Sequence, residues 1–149
     1  MTPIVLALSL MAQPDWRGGD ALPLATEARA VEVRYGLPLG LLLAVCLIES
    51  GGRQRLVSPR RRCGGRDIGA GQVHHHQGRA RLQQLLTLSL GLDQAGRLLV
   101  QSRDRCRRHP RWAACKRGSY SLYNSASPGW SARMQRAWRR LLGPAGGAT

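Results

Sequence analysis

The chain contains no phenylalanine and one lysine, Lys116. Without Phe, its 149 residues must build a core mostly from leucine and alanine, with four tryptophans as the large apolar anchors. With one lysine, a net charge of +15 is carried almost wholly by arginine. Such a charge implies an anionic partner or an anionic surrounding. Nucleic acid, anionic lipid and an acidic cell wall all qualify. Richness in Arg, Gly, Ala and Leu is also what a GC-rich genome encodes, so charge alone selects no partner.

Other absences narrow the class. No internal stretch reaches the ~20 apolar residues that a membrane span needs. No Cys-x-x-Cys pair is present, which argues against zinc even beside His74-His75-His76, because consecutive residues cannot all point into one site. That triplet is expected in a solvated loop, and His109, before Pro110, at the surface. No internal repeat appears and no strand alternation persists, so the architecture is expected to be mainly α. A hydrophobic content of 43% indicates a folded globule rather than a disordered tail.

The four cysteines, at 46, 63, 106 and 115, are an even count, as a disulfide-bonded exported protein would show. Three pairings are open. The local pairs Cys46–Cys63 and Cys106–Cys115 are preferred because they close short loops. Residues 3–12 are apolar. They suit the apolar region of a signal peptide cleaved after Ala12, although a positive start is missing and Leu10 is large for its place. A folded N-terminal helix is the other reading. The chain is expected to divide into a signal segment and linker over 1–20, one domain over 21–142 and a flexible tail over 143–149.

Within that domain Leu24, Ala28, Val31 and Tyr35 share one helical face, and Gly36 ends the helix. Pro38 is expected to open the next helix. Leu41–Ile48 is an unbroken apolar run, which as a helix belongs inside a core and which Gly51-Gly52 would stop. Residues 53–68 read as a basic loop. Leu82, Leu85 and Leu86 suggest a helix over 79–90, and Asp93 a cap for a further helix carrying Ala95, Leu98, Leu99 and Ser102. Residues 103–118 read as an arginine-rich insertion bounded by cysteines. Trp130, Met134, Ala137, Trp138 and Leu141 mark the last helix, the tryptophans as core residues.

The chain has eight carboxylates. Seven, including Glu32 and Asp67, read as polar or linker residues. Glu49 alone closes the apolar run, with Val45 and Cys46 on the preceding turn. Desolvation there would favour the protonated acid, which can protonate the oxygen of a leaving sugar.

Three segments in order carry a resemblance: Glu49-Ser50, Gly69-Ala70-Gly71-Gln72-Val73 and Tyr123-Asn124-Ser125-Ala126. Together they resemble the motifs of the soluble lytic transglycosylases, which share the lysozyme-like fold of goose-type lysozyme, over roughly Val31–Leu142. The chain departs from the pattern at Leu122, at Ser125-Ala126 and at Ala70, where the family tends to have other residues. The resemblance implies a single helical domain with an active-site cleft, periplasmic or secreted. It implies Glu49 as the catalytic acid and then base, Ser50 holding substrate or orienting the Glu, Gly69 and Gly71 letting the backbone approach the glycan, and Gln72 lining the cleft. Tyr123 and Asn124 would sit near Glu49, with the Tyr123 hydroxyl a donor to it. Tyr120, three residues earlier, is a further candidate for the cleft. The implied substrate is the peptidoglycan glycan strand, cut between MurNAc and GlcNAc with a 1,6-anhydro product, by a monomer without cofactor, metal or nucleic acid. Such enzymes often serve secretion, conjugation or phage machinery. A hydrolytic muramidase would need a second carboxylate, for which Asp67 is the candidate. A non-catalytic cationic binder of envelope or nucleic acid is the reading from outside catalysis.

Overall fold

A computed structural model describes residues 1–54, 57–59, 66–75, 85–125 and 127–143; for 57–59, 66–68, 74 and 75 it is the backbone that is described. These residues are mainly helical. In chain order they form α1 (Pro3–Met11), α2 (Ala21–Tyr35), α3 (Leu41–Ser50), β1 (Val57–Pro59), β2 (Arg66–Ile68), β3 (Val73–His75), α4 (Leu88–Arg108), the single 3-10 turns Cys115–Arg117 and Ser121–Asn124, and α5 (Trp130–Leu142). No described helix is long and apolar enough to cross a membrane.

Helix α3 is the centre of the fold. Every residue from Leu41 to Leu47 is buried, and the helix packs against α2, α4 and α5. An all-round apolar sequence requires such surroundings. Its C-terminus is closed by the Gly51 and Gly52 amides, which bond back to Leu47 O at 2.9 Å and Cys46 O at 3.2 Å. Its N-terminus is closed from outside the helix. Pro38 is not the opening residue; it lies in the preceding turn, and Gly40 occupies the N-cap without a side-chain oxygen to offer. Glu32 supplies the missing acceptors. Its Oε2 accepts the Gly40 N–H and its Oε1 the Leu42 N–H, both at 2.9 Å, satisfying donors that a helix start leaves unpaired.

Glu32 is therefore not a solvated residue. It is 0% exposed, because it lies four positions after Ala28 and next to Val31 on the core face of α2. Desolvation pushes its carboxyl up to about 7, against the pull of Gly40, Leu42 and Arg29. Leu24, Ala28 and Val31 occupy this face as the period requires, and Gly36 ends the helix in the left-handed conformation.

Helix α4 is continuous where a break was expected. Asp93 lies inside it rather than at a cap, since its carboxylate is taken up elsewhere: Arg34 and Arg97 reach it at 2.6 and 2.9 Å and the Tyr35 hydroxyl donates at 2.9 Å. Partial burial alone would raise this carboxyl, but the hydrogen bonds from Tyr35, Arg34 and Arg97 together hold it below the usual carboxylate range. The cluster fastens α2 to α4. The expected insertion begins inside α4, and the Cys106–Cys115 disulfide joins that helix to the first 3-10 turn. Closing so short a loop contributes about 3 kcal/mol by restricting the unfolded chain. The other preferred pair is not formed. Cys46 is a free thiol facing the core, and Cys63 lies outside the described residues.

Residues 3–11 adopt the folded-helix alternative. Leu6 and Leu10 are fully buried, α1 packs on α2 and α5, and the Ser9 hydroxyl donates to Leu141 O at 2.6 Å. The segment 13–20, expected as a linker, is docked rather than loose. The Arg17 N–H bonds Gly51 O at 2.9 Å, and the Trp16 ring lies so close to Gly52 that a Cβ there would stand 2.0 Å from it. Gly52 is thus required both by that contact and by its φ of +83°.

A small antiparallel sheet, order β1-β2-β3, follows α3 in place of the expected loop. Val57 pairs with Ile68 and Ile68 with Val73, so residues 69–72 form the turn of the β2–β3 hairpin. Strands of three residues are too short to show alternation. His74 and His75 belong to β3 rather than to a loop, and His76, Arg60-Arg61-Arg62 and the first half of the helix expected over 79–90 lie outside the described residues, although Leu85 and Leu86 are helical. Residues 144–149, most of the expected tail, also lie outside them. On α5 Trp130, Met134, Ala137 and Leu141 are buried and Trp138 is half-buried, donating its indole N–H to Leu39 O at 2.7 Å.

Candidate active site

Glu49 stands on the last turn of α3, half-buried, where the core meets solvent. Two side chains donate to its Oε1. One is the Trp130 indole N–H from the start of α5; the other is the Asn124 amide, at 3.4 Å. Trp130 is 1% exposed and stacks on Tyr123 with centroids 5.5 Å apart. The donor is thus locked by core packing, which fixes the carboxylate it holds.

The hairpin turn 69–72 is fastened beside this glutamate from two directions. The Ser50 hydroxyl lies 2.7 Å from Ala70 O and 3.0 Å from Cys46 O, and accepts the Gly52 N–H at 3.1 Å. From the other side the Tyr123 hydroxyl donates to Gly71 O at 2.6 Å. A Cβ on Gly71 would meet the Ala95 methyl at 2.9 Å and the Tyr123 hydroxyl at 3.1 Å, so only glycine allows this approach. Gln54 holds the turn from beneath, its Oε1 accepting the Ala70 N–H at 3.3 Å and its amide donating to Leu86 O at 2.6 Å. Gln72 adopts φ +48°, uncommon for a residue with a side chain, and its amide folds back onto Gly69 O at 2.9 Å.

The three segments singled out in the sequence therefore meet at one place, but several residues sit differently from expectation. Ser50 is 3% exposed; its hydroxyl ties α3 to the hairpin beneath the surface. Gly69, Ala70 and Gly71 are buried as well, so these glycines admit packing by neighbours. The Tyr123 hydroxyl donates to Gly71 O, and Trp130 and Asn124 are among the donors on Glu49. Tyr120 is half-buried against the end of α4, where desolvation raises its hydroxyl despite the bond to Arg103. The Asp67 backbone lies in β2, paired with Ser58 and His74.

Glu49 opens onto a hollow of about 430 Å³ that the sequence did not reveal. Arg17 and Arg53 line it with Asp15, and Arg133, Arg136 and Arg140 project from α5. The α5 arginines each precede a core residue, Met134, Ala137 and Leu141, so they form a row flanking the buried face, a spacing visible in the sequence. What the spacing cannot show is that Arg17 and Arg53, from the turns around Gly51, face the same space. Trp130 as a donor to Glu49 is also invisible in sequence, since its burial marks it as core.

Among the described residues no group of three or more His, Cys, Asp or Glu side chains could hold a metal ion. A half-buried carboxylic acid fixed by two donors beside a polar hollow can give a proton to a bound group and take one back. No protein-family model, no curated protein and no solved structure matches this chain.

Proposed function

We propose that this protein is a peptidoglycan lytic transglycosylase with a lysozyme-like fold, its active-site cleft opening at Glu49. Glu49 protonates the oxygen of the glycosidic bond between MurNAc and GlcNAc. The resulting carboxylate takes the proton from the C6 hydroxyl of the muramic residue as that oxygen bonds to C1. The products are a free 4-hydroxyl on GlcNAc and a 1,6-anhydro-MurNAc end, and Glu49 recovers its proton. No water is consumed and no second carboxylate is needed.

One observation carries this reading. The single carboxylate that ends the core helix is held by Trp130 and Asn124, with the hairpin turn 69–72 fastened to both its own helix and Tyr123. Glu-Ser, Gly-x-x-Gln and Tyr-Asn are far apart in the chain, yet each takes a direct part in this arrangement. The Cys106–Cys115 disulfide supports residence in an oxidising compartment, periplasmic or secreted.

The arginine-lined hollow also suits a second reading, a cationic envelope binder that performs no chemistry. Mass spectrometry of material released from purified peptidoglycan separates the readings. Wild-type protein is expected to release fragments lighter by one water than hydrolysis gives, and Glu49→Gln none. Glu49-dependent products that carry the added water would instead make the enzyme a hydrolase and bring Asp67 forward as second carboxylate. Absence of product from wild-type protein, with binding to the wall unchanged in Glu49→Gln, would leave the binder.

A further inference from the structure

We infer that the hollow beside Glu49 is a subsite for the carboxylates of the peptide stems on the glycan, so that the protein selects peptide-bearing strands over naked ones. The inference rests on the proposed cleavage at Glu49 and adds the substrate group that decides selectivity.

The lining holds five guanidinium groups against two carboxylates, Asp15 and Glu49. Asp15 is engaged by Arg140 at 2.8 Å. Arg53 and Arg17 each donate to a backbone carbonyl, Ser50 O at 2.9 Å and Pro14 O at 3.0 Å, and Arg133 reaches the Ser127 hydroxyl at 3.2 Å. These bonds orient the groups without neutralising them. Among the described residues Arg136, in the middle of the α5 row, makes no hydrogen bond or ion pair. The space thus keeps a positive excess on several forks that match a carboxylate bidentately.

Position favours a stem carboxylate over other anions. On a peptidoglycan strand the peptide hangs from the lactyl ether at C3 of the muramic ring whose C1 bond is cut. A strand placed with that bond at Glu49 brings its anionic peptide within a few bonds of the same carboxylate, where the hollow lies. A nucleic acid or a lipid surface is too broad to enter a hollow of about 430 Å³. A neutral sugar would leave the arginines without counter-charge.

The test uses the full chain as Glu49→Gln, to prevent turnover, and measures binding to strands with peptides intact and to strands stripped of peptides by an amidase, the lactyl carboxylates so freed being capped as amides. Intact strands are expected to bind about tenfold more tightly, and adding Arg133→Gln and Arg136→Gln should bring the ratio close to one. Both arginines are exposed, and circular dichroism verifies folding. Arg107→Gln with Arg108→Gln removes equal charge from the end of α4 and should leave the ratio intact. Equal binding to both strands overturns the subsite, as does loss of the ratio in the α4 variant, which would assign it to bulk charge. Inorganic phosphate or a short RNA displacing the intact strand more effectively than the free stem peptide would reassign the hollow to phosphate and also overturn it. Cleavage by wild-type protein is scored separately. Glu49-dependent product without strand preference sinks this inference alone, whereas stem binding that depends on the α5 arginines, with no product, sinks the cleavage reading alone.

Discussion

The two ends of α3 each hold a glutamate, and the two are placed in opposite ways. At the N-terminal end Glu32 is enclosed, and both its oxygens accept backbone N–H groups at 2.9 Å. At the C-terminal end Glu49 is half-buried, takes side-chain donors on Oε1 and faces an arginine-lined hollow. The helix dipole favours a negative charge at the first position and opposes it at the second. A carboxylate whose acceptors are consumed by the backbone closes a helix. One that is held by side-chain donors on one oxygen beside open space can exchange a proton with something that enters. Burial by itself does not separate the two placements, since the more buried glutamate is the one that closes the helix.

Substitution should break the symmetry cleanly. Glu49→Gln is expected to lower glycan cleavage by about a thousandfold while changing stability little, read by product release and by denaturant unfolding. Glu32→Ala should do the reverse. It leaves two buried N–H groups unpaired and opens a cavity, and should lower unfolding free energy by about 3–5 kcal/mol. Activity measured well below the unfolding midpoint should largely remain. A large activity loss in a still-folded Glu32→Ala protein would show that the two ends are not independent.

Acid titration sharpens the same contrast. The Glu32 carboxyl is raised in the folded protein from 4.5 to about 7, so between these values the folded state binds more protons than the unfolded one. Its contribution is complete below about 4.5 and is lost as pH rises through about 7, a change on the order of 3 kcal/mol. Unfolding free energy followed from pH 4 to 8 should fall less steeply in Glu32→Gln than in wild type. An unchanged slope would remove Glu32 as its source. The smaller effects belong to the Glu49 end. Trp130→Phe keeps the ring and deletes the indole donor, with an expected loss of about tenfold in cleavage. Asn124→Ala, which deletes the longer contact, should cost about threefold. The reverse order would mean that Asn124 rather than Trp130 fixes the carboxylate.

The outcome of reading the chain before folding it follows the same divide between local and distant information. The apolar run Leu41–Ile48 declared a core helix, and the α2 and α5 periodicities declared their buried faces, because each depends on side chains a turn apart. Glu49 was legible as the carboxylate closing that run. Glu32 was not, since a Glu beside Val31 looks the same in sequence whether its oxygens meet water or the amides of Gly40 and Leu42. Asp93 looked like a cap for the reason that it is a short acidic residue near a helix, and only Arg34, Tyr35 and Arg97 converging on it made it an interior strut. The three-residue strands carried too little pattern to be read.

The sequence by itself thus determined the mainly helical body, the place of its central helix and the identity of the acid at that helix's end, because these follow from composition and short-range period. The tertiary structure alone decided which donors hold Glu49, which carboxylate is enclosed, and that Arg17, Arg53 and the α5 arginines share one hollow. Those facts depend on segments separated by tens of residues being brought within a few ångströms, and no local pattern encodes a distance across the core.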